Sequence, residues 1–399
     1  MPSSLRVCSS SHNCCGISDI GTGRDGFPAD PKDIYLSAGA SSGVNTLLHI
    51  ICGGPTTGVL VPIPQYPLYT ASLAVLDAKC VPYYLDESKN WGTDLEAIKT
   101  AYKKAVDEGT DVRAIVIINP GNPTGASLSE DDIKAVIDFA AQEKLVVMAD
   151  EVYQTNVFIG KFTSFKSVLR KVQKADPEKY KYVELASLHS ISKGMVGECG
   201  HRGGYFELCG FDPEVVEQIY KFVSISLCAP VIGQCLVELM VNPPKEGEPS
   251  YELYKQEWDG IFVGLKKRAA ALYEAFTEME GVECQDPQVR LRASQFHSIV
   301  LTLHRDQCTS SPQLNSPPKQ LRPQRRTAAR QTSSMLSVYL MRRAYASCQE
   351  LGSGRKPEPC ISELRSWRQV QSGLGGSRSS IRSLWMSSDR RLGLYIGSS

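Results

Sequence analysis

The chain has no CxxC pair and no Cys/His run at zinc-ligand spacing, although it carries 13 cysteines in 399 residues. Neither a zinc site nor a disulfide framework follows, and the expectation is reduced, mostly buried thiols in an intracellular protein. No apolar run approaches the roughly 20 residues that span a bilayer, and no secretory h-region opens the sequence. The reading is a soluble, cytoplasmic chain with no membrane partner. Residues 1–18 are rich in Ser and Cys and hold no acid, so a mitochondrial transit remnant is the alternative. Strong net charge is also lacking. A formal +1 offers no handle for nucleic acid or an anionic surface.

That average conceals a split. Residues 1–287 carry 26 Lys+Arg against 38 Asp+Glu, whereas 288–399 carry 18 against 5. In the second stretch Arg outnumbers Lys 16 to 2, and residues 310–334 are low-complexity and polar, without amphipathic periodicity. The expected organisation is an irregular segment 1–30, a large domain 31–245, the start of a small domain 246–287, and an Arg/Ser-rich tail 288–399 that is disordered or out of the protein's reading frame.

What is present from residue 33 to about 240 is an alternation of strands and helices. Ile34-Tyr35-Leu36 leads into Gly39-Ala40-Ser41-Ser42-Gly43, after which Val44, Leu47, Leu48 and Ile51 repeat at helical spacing. Residues 58–62 and 81–85 read as short strands, and 114–118 is apolar at every position, which suits a parallel strand covered on both faces. Ser129, followed by Glu130, Asp131 and Asp132, reads as a helix start with Ile133, Val136, Ile137 and Ala140 facing inward. Residues 145–149 and 182–188 are further strands, 213–223 a helix, and 251–279 a long amphipathic helix leaving the large domain. The fold class expected is α/β, a three-layer α/β/α domain on a mostly parallel sheet, with ligands at the carboxyl ends of its strands.

Four groups of residues fall where strands end. Asp150 follows one strand and Tyr153 comes three residues later; a carboxylate there can pair with a protonated ring nitrogen, and a phenol can donate to a ring oxygen. Asn119-Pro120-Gly121-Asn122-Pro123-Thr124-Gly125 follows another, a stiff turn able to aim the Asn122 amide inward. Ser190-Ile191-Ser192-Lys193 with Arg202 offers an amine for an aldehyde and hydroxyls and a guanidinium for a phosphate. Ala40-Ser41-Ser42 opens a helix whose free N–H groups attract an anion. Taken singly, each has an ordinary use as a cap, a loop or a solvated turn.

Their order along residues 31–287 resembles the class I/II aminotransferases of the pyridoxal-phosphate fold type I group. Pro64-Gln65-Tyr66-Pro67-Leu68-Tyr69 and Gly197-Glu198-Cys199-Gly200 are similar to the alanine aminotransferase subfamily; Met195 and His201 depart from its usual aromatic residues. The resemblance implies pyridoxal 5'-phosphate as cofactor, Lys193 as the Schiff-base lysine and proton carrier, and Asp150 at the pyridinium nitrogen. It implies Tyr153 and Asn122 at the phenolic oxygen, Tyr66 on the ring face, and Ala40, Ser41, Ser190 and Arg202 at the phosphate. The implied function is ping-pong transfer of an amino group from L-alanine to 2-oxoglutarate, with an amino acid and a 2-oxo acid as partners and a homodimer as assembly. The family's small domain also carries an Arg that clamps the substrate carboxylate within a His-Phe-Arg run. No such run occurs in this sequence, so a chain that binds cofactor without turnover, and a lyase of the same fold, stand as alternatives.

Overall fold

The computed structural model describes residues 11–87, 91–158 and 160–278. The expectations for residues 1–10, for 279–287 and for the tail 288–399 lie outside the described residues. In chain order the elements are α1 (Ser11–Asp25), β1 (Ile34–Ser37), α2 (Ala40–Ile51), β2 (Thr57–Ile63), α3 (Leu68–Val75), β3 (Lys79–Tyr84), α4 (Leu95–Asp107), β4 (Asp111–Ile118), α5 (Glu130–Glu143), β5 (Val146–Asp150), α6 (Phe165–Ala175), α7 (Pro177–Tyr180), β6 (Leu185–Ser190), β7 (Gly204–Cys209), α8 (Pro213–Ile225), α9 (Val231–Val241) and α10 (Tyr251–Thr277).

The strands form one seven-stranded sheet in the order β1-β7-β6-β5-β4-β2-β3. Strands β2 to β6 run parallel to one another, and β7 runs antiparallel to both β1 and β6. The period-2 alternation of the central strands explains the three layers. Ile115, Ile117, Val147 and Ala149 face the cluster containing Ile133, Val136, Ile137, Phe165 and Leu169. Ala114, Val116, Met148 and Ala186 face the opposite cluster, which holds Val44, Leu47, Leu48, Tyr69 and Ile219. Both faces of the apolar run 114–118 are therefore covered, as a buried parallel strand requires.

The α5 start carries a complete capping box: Asp132 N–H donates to Ser129 Oγ at 3.1 Å and Ser129 N–H to Asp132 Oδ2 at 3.2 Å. Two expected boundaries move. The strand read at 182–188 runs from Leu185 to Ser190, and Asp150, read as following its strand, is the last residue of β5.

Two expectations are corrected. Residues 1–30 were expected to be irregular, yet Ser11–Asp25 is helical. Gly16, Gly21 and Gly23 depress local helix propensity, and packing overrides it: Cys14 and Ile17 are buried with Ile34, Val237 and Val241, and Ser18 Oγ donates to the Ala29 carbonyl at 2.6 Å. Among the described residues the cysteines are also less buried than expected. Cys14 and Cys209 are buried, but Cys199, Cys228 and Cys235 are exposed, because they sit in a loop, in the α8–α9 connection and on the outward face of α9. No helix among the described residues is long and apolar enough to cross a membrane.

Candidate active site

Strand register decides which residues meet. Ile118, Asp150 and Leu188 lie side by side across β4, β5 and β6, and Ser37, Gly204 and Ser190 lie side by side across β1, β7 and β6. Because β7 is antiparallel, its first residue sits at the same edge as the carboxyl ends of its neighbours. The turns holding Asn122, Tyr153, Lys193 and Arg202 therefore open from one edge of the sheet, beside the start of α2.

Asp150 is buried at 8 % exposure. Tyr69 Oη donates to its Oδ2 at 2.8 Å and Val152 N–H to Oδ1 at 3.4 Å. Burial pushes the Asp150 carboxyl above its usual range, while the Tyr69 hydroxyl, the Val152 N–H and the charge on Lys193 pull it back. The same burial, followed by the Asp150 charge, pushes the Tyr69 phenol well up, so Tyr69 stays a donor. Asn122 Nδ2 donates to Tyr153 Oη at 3.4 Å; both residues are buried. Lys193 Nζ lies 5.6 Å from the ring centroids of both Tyr66 and Tyr153, within cation–π range. Tyr66 remains 49 % exposed, leaving one of the two rings open to solvent.

The fourth group is gathered around Arg202. Arg202 Nη2 donates to Ser41 Oγ at 3.1 Å and to the Ala38 carbonyl at 2.9 Å, while Nη1 donates to Ser192 Oγ at 3.2 Å and to the Cys199 carbonyl at 2.9 Å. The guanidinium thus bridges the N-terminus of α2 to the loop that carries Lys193, adding charge where free helix N–H groups already favour an anion. Gly39, with φ of +91°, permits this approach: a Cβ there would sit 2.6 Å from Arg202 Nη2. Gly204 is constrained by space alone, since a Cβ there would fall 2.6 Å from the His189 carbonyl oxygen and 3.0 Å from Ala40 N.

All nine residues singled out in the sequence fall around this edge. Ser190 Oγ donates to the Gly203 carbonyl and accepts from Ser192 N–H, both at 3.1 Å. It braces the turn, and the hydroxyl that touches Arg202 belongs to Ser192. The sequence assigns no separate role to Ser192 or to Tyr69. Ser192 was visible as the second serine of the run ending in Lys193, whereas Tyr69 carried no signal beyond an aromatic residue on a short helix.

A mostly parallel sheet with a buried strand-end carboxylate, an amine between two tyrosines and an arginine at a helix N-terminus defines a class. The family model for aminotransferase class I and II matches residues 20–293, and the chain belongs to that family. Within it, the mitochondrial alanine aminotransferase of Saccharomyces cerevisiae is 53 % identical over 274 residues, covering 68 % of this chain and 46 % of that protein. A second protein of that yeast, named inactive alanine aminotransferase, is 49 % identical over 68 % of this chain and 54 % of its own length. The chain spans about half the length of the curated relatives it matches. Among solved structures, the alanine aminotransferase from Pyrococcus furiosus shares the fold with a TM-score of 0.60 at 22 % identity, covering 74 % of this chain and 72 % of that one.

Proposed function

We propose that the chain is a pyridoxal-phosphate-dependent aminotransferase acting on L-alanine and 2-oxoglutarate. The observation that carries the reading is the Arg202 bridge between Ser41 and Ser192, set one strand away from a buried carboxylate and beside a lysine. The donor set fits the cofactor at each of its polar points. Ala40, Ser41, Ser190 and Arg202 would hold the phosphate, with Ser192 bracing Arg202; Asp150 would meet the ring nitrogen, Asn122 and Tyr153 the phenolic oxygen, and Tyr66 the ring face. Lys193 would bond the aldehyde carbon. When bound, pyridoxal phosphate supplies an electron-accepting ring for chemistry at the substrate's α-carbon.

The chain's own contribution is positional and protonic. Asp150, fixed by Tyr69 and the Val152 N–H, presents a negative charge shielded from water, which keeps a proton on a ring nitrogen beside it. Lys193, between the Tyr66 and Tyr153 rings, is the group that takes and returns the substrate's Cα proton. Its loop is anchored by Arg202 through Ser192, so the amine is held near the atoms it serves. An amino acid and a 2-oxo acid are the small-molecule partners, and a homodimer is the assembly; the names of the relatives and exposed Val231, Ile232 and Leu239 on α9 support this.

The test has two arms. Pyridoxal phosphate added to the full chain is expected to give a protein-bound absorbance band that Lys193→Ala abolishes; soluble protein with no band overturns the reading. Pyruvate formation from L-alanine, dependent on 2-oxoglutarate, then tests turnover. A relative named inactive lies at similar identity, so binding without turnover is a distinct outcome. Sustained release of pyruvate together with ammonia from an amino acid that carries a β-leaving group, such as L-serine, with no 2-oxo acid present, would favour a lyase.

A further inference from the structure

A partly buried polar network lies beside this edge of the sheet and takes no part in the chemistry above. Its centre is Arg24, in the last turn of α1. Arg24 Nε and Nη2 donate to Asp25 Oδ1 and Oδ2 at 2.6 and 2.7 Å, and Nη1 donates to Gln154 Oε1 at 2.7 Å. Nη1 also lies 4.0 Å from Glu151 Oε2. Alternation along β5 explains the placement: Met148 faces the α2 side, Asp150 shares that side and bonds Tyr69, and Glu151 turns to the α6 side, where its Oε1 accepts Phe165 N–H at 2.8 Å.

Gln154 belongs to the turn of residues 151–156 that follows Asp150. Its Nε2 and N–H donate to the Glu151 carbonyl at 3.2 and 3.1 Å, and Asn156 N–H donates to the Tyr153 carbonyl at 2.9 Å. The far side of this turn presses on the loop of Lys193: a Cβ on Gly194 would lie 2.5 Å from Thr155 Oγ1. One guanidinium is therefore linked by a single side chain to the segment that holds Tyr153 and limits where Lys193 can stand.

We propose that Arg24 is a positioning residue for the candidate active site, acting through Gln154 to hold the turn of residues 151–156 against Lys193-Gly194. The proposal rests on the reading of Lys193 and Asp150 as cofactor partners. It gives α1, outside the sheet and 130 residues from Gln154 along the chain, a role in the geometry of the site.

The test compares full-length wild type with Arg24→Gln, Gln154→Met and Ser164→Ala. Arg24→Gln strands two buried carboxylates and risks misfolding, so Gln154→Met, which removes the acceptor and leaves the Arg24–Asp25 pair, is the decisive variant. Ser164 Oγ donates to Asp25 Oδ1 at 2.6 Å without touching Gln154, which makes its loss a control for general destabilisation. Hydrogen exchange of the cofactor-free proteins is read at the Gln154 and Asn156 amides, and pyridoxal-phosphate affinity by absorbance titration. Gln154→Met is expected to speed exchange at both amides and weaken cofactor binding about ten-fold, the loss of one charge-assisted hydrogen bond. Ser164→Ala is expected to lower the melting temperature and leave both readouts at wild type. Wild-type exchange in Gln154→Met, or equal losses in Ser164→Ala, overturns the proposal. A wild-type chain that takes up no pyridoxal phosphate defeats the cofactor reading alone, and the exchange comparison then upholds or overturns the hold of Arg24 on the turn.

Discussion

Tyr69 shows how much of the site depends on a residue that touches no substrate. Its hydroxyl is buried and bonded to Asp150, so Tyr69→Phe removes a donor to a charged acceptor at a cost of about 1.5–3 kcal/mol and lets burial push the carboxyl higher. The expected outcome is a bound-cofactor absorbance whose pH titration shifts from wild type, with protein stability reduced; an unchanged titration would remove Tyr69 from the site. Gly39 makes a sharper case. Alanine there meets both a positive φ and a 2.6 Å approach to Arg202, so Gly39→Ala is expected to weaken pyridoxal phosphate more than ten-fold in an absorbance titration. Ser37→Ala, two residues away, removes only a hydroxyl bonded to the Gly39 carbonyl and should cost less. Asp150, Tyr153, Asn122 and Lys193 were legible in the sequence because each follows an apolar run closely, and strand ends are where such folds bind ligands. Tyr69 and Arg24 were not. Their partners lie 81 and 130 residues away, and only tertiary packing brings those distances to contact.

Among elements, α5 was read nearly to the residue because capping box, acidic first turn and apolar spacing agree at one place. Ser129→Ala removes the acceptor of the Asp132 N–H and leaves the backbone N–H bond to Asp132 Oδ2 in place; it is expected to cost about 1 kcal/mol, seen as a melting-temperature drop of a few degrees with cofactor binding unaltered. The same reasoning missed β7, whose Gly204-Tyr205-Phe206-Glu207-Leu208-Cys209 mixes a buried acid into an otherwise apolar run. Glu207 is tolerated there because Lys166 Nζ, itself buried on α6, pairs with it at 2.5 Å; neither half of such a pair announces the other in sequence. Lys166→Met should therefore be strongly destabilising, by about 3–5 kcal/mol, since it strands a buried charge. Lys166→Met with Glu207→Gln is expected to recover part of that loss in urea denaturation, and a double variant no better than the single one would contradict the pairing argument. The helix α1 was misread for the opposite reason. Three glycines argue against it locally, and burial of Cys14 and Ile17 decides in its favour.

At the scale of the molecule, the network around Arg24 sets opposing responses to pH. Burial raises the Glu151 carboxyl from 4.5 to about 7 against the pull of Arg24. Burial, then the Arg24 charge, lowers His189 from 6.5 to about 3. Asp25, Tyr205 and Glu207 complete the groups that face them. Between 3 and 6.5 the fold binds fewer protons at His189 than the unfolded chain does, so that contribution to stability is lost as pH falls through this window. Between 4.5 and 7 the fold binds more protons at Glu151, so that contribution is lost as pH rises. The two offset each other where the windows overlap. His189→Gln is expected to gain stability from pH 7.5 to 5 relative to wild type, and Glu151→Gln to lose it, in urea midpoints measured across that range; the reverse order would show the burial argument to be wrong. The antiparallel β7 has a further consequence for how the molecule comes apart. The β6–β7 reversal delivers Ser190, Ser192, Lys193 and Arg202 from one short stretch, whereas Ala38 and Ser41 come from 164 and 161 residues away. A phosphate seated between them would act as a latch across the longest loop closure in the site. Unfolding that begins by peeling β1 and α2 from β7 would have to expel that ligand first, and its slow release would set the lifetime of the native state.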